Sequence, residues 1–394
     1  MRYKSKGLHH RAILHLCLLL EVMTSLVSCH AAPGTVTLLK TPNGGIQPQA
    51  AVDSKGVLHL IYYKGDPKSG DIFYVRQQPG DAAFSTPIRV NSQPGSAISM
   101  GTIRGAQISI GRNDRVHVAW NGSGTAEPKG PNDSSPMLYT RLNEAGTAFE
   151  PQRNVMTYAK GLDGGGTVAA DKAGNVYVAW HGNPKGDGEA HRAVYVARST
   201  DDGKTFAREK QANTESTGAC GCCAMRAFVD KQGTLYMLYR AATADVNRDM
   251  TLLVSHDKGT SFQSTKIHKW NIGACPMSSE SFTQASTGVE GAWETKGQVY
   301  FAAFDPATMQ APKPVAAPGA GEKRKHPVIV TNAQGQTLFA WTEGTGWERG
   351  GALAWQVYDK DGNPTAEKGQ QDGVPVWSLL SAFARPDGSF TLIY

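Results

Sequence analysis

The segment GTVAADKAGNVYVAW, residues 166–180, decides the fold of this chain. It consists of a short alternating stretch, a turn rich in Asp, Asn and Gly, and an apolar stretch that ends in a tryptophan. Alternation with a period of two predicts two antiparallel strands joined by a tight turn. The same arrangement occurs seven times, and the apolar stretches end at Tyr62, Trp120, Trp180, Tyr239, Trp293, Trp341 and Tyr394.

The spacing of these seven aromatic residues is 58, 60, 59, 54, 48 and 53 positions. A period near fifty combined with strand-type alternation is typical of a β-propeller rather than a helical solenoid. Most units also carry a third strand and an outer fourth strand, such as PIRVN at 87–91. The sequence therefore predicts an all-β propeller of four-stranded antiparallel blades, seven in number, with six as the alternative if the short fifth unit is not independent.

The two ends of the chain are predicted to close the ring together. The seventh unit stops at Tyr394 after two strands, and the segment TVTLLK at 35–40 precedes the first unit without a partner of its own. We expect this segment to complete the last blade. The predicted organisation is a tether and closing strand over 29–44 and a single propeller domain over 45–394.

The first residues have the pattern of an export signal, with a basic start followed by an apolar stretch over 1–28. The signal ends in LVSC, which is similar to a bacterial lipobox and predicts lipidation at Cys29; cleavage near Ala31 or Ala32 is the alternative. Without 1–28 the chain has 36 basic and 33 acidic residues, a net charge of +3. That charge excludes a nucleic-acid partner. We expect an exported monomer anchored by lipid in the periplasm or on the cell surface.

Two turns share the pattern S-x-D-x-G-x-[ST]-F, namely STDDGKTF at 199–206 and SHDKGTSF at 255–262. The aspartate is expected to accept turn amides, the glycine to take a positive φ, and the phenylalanine to pack into the blade. The pattern resembles the Asp-box of the sialidase superfamily of propellers. The residues of the two copies are Ser199, Asp201, Gly203, Thr205, Phe206, Ser255, Asp257, Gly259, Ser261 and Phe262.

The antiparallel strand order assigns the loops to two faces. Turns between the first and second and between the third and fourth strands lie on one face, together with both Asp-boxes. The opposite face is predicted to carry the site, because propellers place long polar loops around the mouth of the axial channel. Substrate-binding candidates on this face are His181, Arg192, His326, Trp347 and Arg349.

The resemblance to sialidases implies a set of catalytic roles. In that family an arginine triad clamps the substrate carboxylate, a tyrosine with a glutamate partner is the nucleophile, and an aspartate is the acid/base. Here it implies an acid at Asp163, a partner carboxylate at Glu294, and a clamp drawn from Arg104, Arg226, Arg240, Arg248 and Arg349. The family's Arg-Ile-Pro motif is absent, because GGIQPQAAV stands at 44–52, and no tyrosine nucleophile can be assigned.

Four cysteines remain in the mature chain, three in GACGCC at 218–223 and one in GACPMSS at 273–279. In an exported chain they are expected to form two disulfides, one joining Cys275 to the cluster and one short-range, such as Cys222–Cys223. The alternative is a soft-metal site for copper or zinc built on Cys220, Cys222, Cys223 and Cys275, with His326 or Met277 nearby. No other cofactor is expected.

Three functions are compatible with these residues. The first is a sialidase-like, exo-acting glycoside hydrolase on glycans with acidic sugars. The second is a non-catalytic propeller that binds a glycan or a protein, with Trp347 suited to stacking on a sugar ring. The third is a metal- or redox-active propeller that uses the cysteine cluster.

Overall fold

Seven β-sheets follow one another along the chain in the computed structural model, which describes residues 1, 32, 34–186, 188–213, 216–310, 312–321 and 323–394. Six of the sheets have four strands, hydrogen-bonded in chain order and antiparallel throughout. The seven-bladed propeller is therefore confirmed, and the alternative of six blades is wrong. The predicted signal peptide and Cys29 lie outside the described residues. Within the described ranges, no helix has the length and hydropathy of a membrane span.

The inner strand of each four-stranded blade comes first in the chain and the outer strand last. The strands of blades 1 to 3 are β2 (Ile46–Val52), β3 (Leu58–Asp66), β4 (Ser69–Gln77) and β5 (Ile88–Arg89); β6 (Gln107–Ile110), β7 (Val116–Asn121), β8 (Met137–Arg141) and β9 (Arg153–Asn154); and β10 (Thr167–Ala170), β11 (Val176–Gly182), β12 (Ala193–Ser199) and β13 (Lys210–Gln211). Those of blades 4 to 6 are β14 (Met225–Val229), β15 (Leu235–Arg240), β16 (Met250–Ser255) and β17 (Gln263–His268); β18 (Ser281–Ala285), β19 (Gly288–Thr295), β20 (Gln298–Phe304) and β21 (Val315–Ala316); and β22 (Arg324–Thr331), β23 (Thr337–Glu343), β24 (Gly351–Tyr358) and β25 (Pro364–Val374). Short 3-10 turns occur at Pro42–Gly44, Arg112–Asp114, Pro131–Asp133 and Glu189–His191.

The seventh blade joins the two ends of the chain, as predicted, but it has three strands. They are β26 (Ser381–Ala384), β27 (Phe390–Ile393) and β1 (Val36–Leu39), and β1 pairs with β27 in parallel. The direction follows from connectivity. A short turn leads from β1 into the inner strand β2, so β1 must end on the face where inner strands begin. The second strand of every blade ends on that same face, which makes the two neighbours parallel.

The core lies between adjacent blades. The aromatic residues that end the second strands are buried in these interfaces, with Trp120, Trp180 and Trp293 at most 1% exposed. The Trp180 indole also donates a hydrogen bond to the Ala159 carbonyl at 2.9 Å. Because each such ring removes a large apolar area from water and satisfies its polar N–H, the repeat seen in the sequence is also the repeat that stabilises the ring.

The aspartate turns lie at the ends of the third strands in blades 3 and 4. Asp201 accepts hydrogen bonds from the Thr205 amide at 2.9 Å and the Ser199 hydroxyl at 2.7 Å. Asp257 accepts the equivalent bonds from Ser261 and Ser255 at 2.9 and 2.8 Å. The opposite face, where the inner strands begin, is called the functional face below.

Candidate functional site

One loop on the functional face, residues 218–223 before blade 4, is called the cysteine loop here. It connects β13 to β14. The Cys220 amide donates to the Arg240 carbonyl at 2.8 Å, and the Gly221 amide donates to Glu189 Oε1 at 2.8 Å. On its other side lies Gly164, where a Cβ atom would overlap the carbonyl oxygens of Gly221 and Cys223. Blades 3 and 4 therefore fix the loop from both sides.

Three thiols meet inside this loop. Cys220 Sγ lies 3.4 Å from Cys222 Sγ and 3.3 Å from Cys223 Sγ, and the three sulfur atoms lie within 4.8 Å of one another. All three side chains are buried, whereas Cys275 is exposed. The four cysteines are free thiols, and the sulfur separations exceed the 2.05 Å or so of a disulfide bond. We call Cys220, Cys222 and Cys223 the thiol pocket; the predicted disulfides stay a prediction.

Two arginines lie beside the thiol pocket. Arg240 is fully buried at the end of β15, where it donates to Ser278 Oγ at 3.0 Å, to the Arg248 carbonyl at 2.7 Å and to the Glu294 carbonyl. Arg248 forms a 2.5 Å ion pair with Glu189. Its Nε and Nη1 atoms are buried without a hydrogen-bond partner among the described residues. Arg240, which pairs with no carboxylate among the described residues, is thus the cation that acts on the pocket, and Arg248 shares its charge with Glu189.

This environment favours a thiolate at Cys223. Burial opposes ionisation of this thiol, but Cys220 and Cys222 donate hydrogen bonds to its sulfur, and the Arg240 guanidinium attracts the negative charge. The pKa of Cys223 is therefore lowered well below its usual range. Conversely, the hydrogen bond to Cys222 raises the pKa of Cys220, which acts as a donor. A thiolate is the form of cysteine that binds metals and acts as a nucleophile.

Two buried carboxyl groups lie on the blade 5 side of the pocket. Burial raises the pKa of Glu294 to about 7, against the attraction of Lys325 and Arg240. Burial also raises the pKa of Glu280 well above its usual range, and the nearby Cys223 adds to this effect. Both oxygens of Glu280 and one of Glu294 have no hydrogen-bond partner among the described residues. Both carboxyl groups are therefore protonated in the fold at mildly acidic pH.

Two histidines flank the same region. His181 is completely buried at the end of β11, and neither ring nitrogen has a partner among the described residues. Burial lowers the pKa of His181 to about 4. His326 lies in β22 at a bulge, with its Nδ1 3.0 Å from Ser279 Oγ, and burial lowers its pKa to about 3. Both rings are neutral at pH 7.

The predicted acid and one predicted clamp residue form a pair. Arg104 Nη2 lies 2.6 Å from Asp163 Oδ1, and Arg104 Nε donates to the Asp163 carbonyl at 2.9 Å. The Asp163 side chain is 42% exposed, so this carboxylate faces solvent at the rim.

Arg226 lies on the propeller axis. Its Nη2 donates to Gln49 Oε1 at 2.8 Å. It lines an axial cavity of about 280 Å³ between the inner strands of blades 1 to 5. It also lines a second cavity of about 20 Å³ together with Gln107, Glu280 and His326. The smaller cavity has room for about one water molecule.

The remaining predicted residues lie around the rim. Arg192 donates to the Gly161 carbonyl, and its Nε lacks a partner among the described residues. Trp347 is 55% exposed and contacts Trp377 edge-on, with ring centroids 4.8 Å apart. Arg349 is exposed in the same loop. These side chains could contact a ligand that approaches the functional face from solvent.

Several positions differ locally from the sequence interpretation. Arg226 and His326 lie inside the inner strands β14 and β22 rather than in the preceding connections. His181, Arg240 and Glu294 lie near the ends of second strands rather than in loops. Sequence reasoning missed Glu280 and Ser278. The signal for Glu280 was its position directly before β18, where an inner strand starts at the axis.

No protein-family model and no curated protein matches the chain. Solved structures do match it. A protein of unknown function from Dyadobacter fermentans has a TM-score of 0.52 at 12% identity, over 76% of this chain and 90% of its own. An alpha-L-arabinanase from Penicillium chrysogenum has a TM-score of 0.52 at 12% identity, over 84% of this chain and 99% of its own. A sialidase from Trypanosoma rangeli has a TM-score of 0.50 at 11% identity, over 80% of this chain and 56% of its own.

The resemblance to sialidase propellers is confirmed as a resemblance of fold. The arabinanase and the sialidase have the same architecture as this chain, so the chain has a fold that glycoside hydrolases use. At 11–12% identity these matches carry no residue roles, and function has to be argued from the site.

Proposed function

We propose that the protein is an exported metal-binding propeller that holds one Cu(I) ion in the thiol pocket. The observation that carries the proposal is the convergence of three buried sulfur atoms within 4.8 Å on the functional face. Thiolates are soft ligands, and they select Cu(I), zinc or iron–sulfur clusters over hard cations. Free buried cysteines usually lie apart as small apolar residues, so three in mutual contact need a further reason.

The number of thiols in the pocket favours an ion that accepts three ligands. Three thiolates and one Cu(I) carry a net charge of −2, which Arg240 offsets in part; the charge of Arg248 is already paired with Glu189. A structural zinc site is almost always four-coordinate. The fourth ligand here would have to come from outside the three thiols, for example from Cys275, Met277, a histidine or a water molecule. A trigonal Cu(I) site needs none of these.

The proposal is tested by titrating the reduced protein with Cu(I) against a chromophoric Cu(I) chelator. We expect one Cu(I) per chain, and sulfur-only coordination in X-ray absorption spectra. Cys223→Ser should lower the affinity by about 100-fold or more, while Cys275→Ser, outside the pocket, should keep the wild-type value. Circular dichroism and urea unfolding report whether each variant folds. Equal affinity of wild type and Cys223→Ser, or retention of zinc in preference to Cu(I), would contradict the proposal.

A second candidate is the exo-acting hydrolysis of a glycan with an acidic sugar, with non-catalytic glycan binding as the runner-up. The pKa of Glu294 near 7 favours it, because a glycosidase needs one carboxyl that stays protonated near neutral pH. Asp163, which pairs with Arg104, would be the second catalytic carboxyl group. The arabinanase and sialidase with the same fold support a sugar ligand.

The substrate clamp of this second candidate would differ from the one the resemblance implied. Arg104 and Arg248 already have acidic partners, and the guanidinium of Arg240 is bound by protein oxygen atoms. Among the described residues, Arg192, Arg226 and Arg349 form no ion pair with a carboxylate, and they remain for an acidic ligand.

Fluorogenic sialosides, uronides and arabinosides test the hydrolase. Turnover that Glu294→Gln abolishes would support it, with the exposed Glu144→Gln as the matched control. Calorimetric binding of the same sugars without turnover would favour the binding propeller. If the protein neither hydrolyses nor binds any of these sugars, both sugar-directed functions are refuted, and the metal site remains as the proposed function.

A further inference from the structure

We infer that Cys275 is a redox modification site that controls the thiol pocket by forming a disulfide with Cys222. The inference rests on the proposed metal site, because the disulfide would remove one of its three ligands. Its first support is the difference in exposure. Cys275 is exposed, whereas Cys220 and Cys223 are fully buried and Cys222 is 8% exposed. Cys222 is thus the member of the pocket nearest to solvent.

The second support is position. Cys275 lies close enough to Cys222 to raise the pKa of the Cys222 thiol. The residues that follow Cys275 are held against the pocket: Met277 packs on the three cysteines, and the Ser278 hydroxyl donates to Cys223 Sγ at 3.7 Å. The Pro276 carbonyl also accepts a hydrogen bond from Lys325. Cys275 therefore lies at the exposed end of an anchored segment, beside one specific buried thiol.

The chemistry is thiol–disulfide exchange with a small disulfide as the oxidant. The Cys275 thiolate attacks one sulfur of the oxidant, forms a mixed disulfide and releases the first thiol. The Cys222 thiol then attacks the Cys275 sulfur and forms the Cys222–Cys275 bond, and its proton passes to the departing thiolate, which leaves as the second thiol. The two cysteines lose two electrons, the oxidant gains them, and the two cysteine protons end on the released thiols. Only Cys275 is accessible enough to react first.

The consequence for the metal is loss of a ligand. After oxidation only Cys220 and Cys223 remain in the pocket. Removing a residue that merely orients a metal ligand typically costs 10–100-fold in affinity, so removing a ligand should cost on the order of 100-fold or more. The protein would then hold Cu(I) while reduced and release it when oxidised.

The experiment compares wild type with Cys275→Ser before and after treatment with oxidised glutathione. Free thiols are blocked with N-ethylmaleimide, disulfides are mapped by peptide mass spectrometry, and Cu(I) affinity is measured by chelator competition. We expect a Cys222–Cys275 disulfide in wild type with an affinity at least 100-fold lower. Cys275→Ser should bind Cu(I) as reduced wild type does and should keep it after treatment.

The outcomes separate the two proposals. A disulfide confined to the thiol pocket, or oxidised wild type that keeps its Cu(I), would overturn the inference while the metal site stands. The same loss of Cu(I) in Cys275→Ser would also overturn it. If reduced wild type binds no Cu(I), the proposed function fails, and control of metal binding fails with it. The peptide map then still shows whether Cys222 and Cys275 pair.

Discussion

Replacing Glu294 by glutamine should change how the stability of the propeller depends on pH. Glu294 is 1% exposed, and burial raises the pKa of its carboxyl group from 4.5 to about 7. Below pH 4.5 the group is protonated in both the folded and the unfolded chain. Between pH 4.5 and 7 the unfolded chain ionises while the folded chain does not, so the free energy of unfolding falls as pH rises. Above pH 7 both states are ionised and the loss is constant.

The size of the effect follows from the two pKa values. A single group that shifts by this amount contributes a loss of about 2–3 kcal/mol between pH 5 and pH 8. Glutamine cannot ionise, so the free energy of unfolding of the variant should lack this loss. The difference in free energy of unfolding between Glu294→Gln and wild type should therefore be about 2–3 kcal/mol larger at pH 8 than at pH 5. Glu280, which is also buried, keeps its own pH dependence in both proteins. The groups facing Glu294 (Lys325, Arg240 and Cys223) are likewise unchanged.

The measurement is urea unfolding of metal-free, reduced protein at pH 5, 6.5 and 8. Glu144→Gln is the control, because 85% of the Glu144 side chain is exposed. The difference in free energy between Glu294→Gln and wild type should grow with pH, and the control should show no such trend. Parallel curves for wild type and Glu294→Gln would refute the assignment of a protonated buried carboxyl at neutral pH.

Three further predictions concern the scaffold. Gly164→Ala should lower the free energy of unfolding by several kcal/mol and weaken Cu(I) binding, because a Cβ atom there meets carbonyl oxygens of the cysteine loop. Gly124→Ala is the control, because a Cβ atom there meets open space, and urea unfolding and Cu(I) titration compare the two variants. Asp257→Ala should lower the free energy of unfolding in urea by about 1–2 kcal/mol, because the turn hydrogen bonds are lost, and it should leave the Cu(I) affinity unchanged. A change in Cu(I) affinity would contradict the assignment of this turn to the face opposite the functional face. Leu38→Asp should lower the melting temperature strongly, because Leu38 packs into the closing blade. Thr37 is exposed on the same strand, so Thr37→Asp should have little effect, and equal melting temperatures of the two variants would argue against ring closure by β1.

The number of blades could be predicted from the sequence because its signal is local. The first two strands of each blade appear in the sequence as an alternating segment that ends in an aromatic residue. These aromatic residues are buried in the structure, as an apolar residue at the end of an alternating strand predicts. The parallel direction of β1 could not be seen in the same way. The segment TVTLLK reads as a strand in either direction, and only its short connection to β2 decides which one it takes.

The candidate site was predictable in part. The sequence indicated which connections share a face, and so brought Asp163, the cysteine loop and Cys275 to one rim. The burial of the thiols could not be predicted from the sequence, because long connections have no periodicity that would indicate buried positions. Their conformation depends on distant partners such as Glu189, which receives the Gly221 amide. Sequence reasoning could not show that Arg248 already has Glu189 as its partner.

The thiol pocket combines a local element with contributions from the whole ring. Its three sulfurs lie within four residues of chain, so even the unfolded chain would keep the ligands of the proposed Cu(I) site together. The fold adds what the segment alone lacks: positive charge from Arg240, exclusion of water, and a fixed sulfur geometry. Binding stabilises the fold only to the extent that the folded affinity exceeds the unfolded one, so the stabilisation by Cu(I) measures that added part. Because Glu189 holds the loop from blade 3 and Ser278 meets it from blade 5, the added part exists only while adjacent blades remain packed.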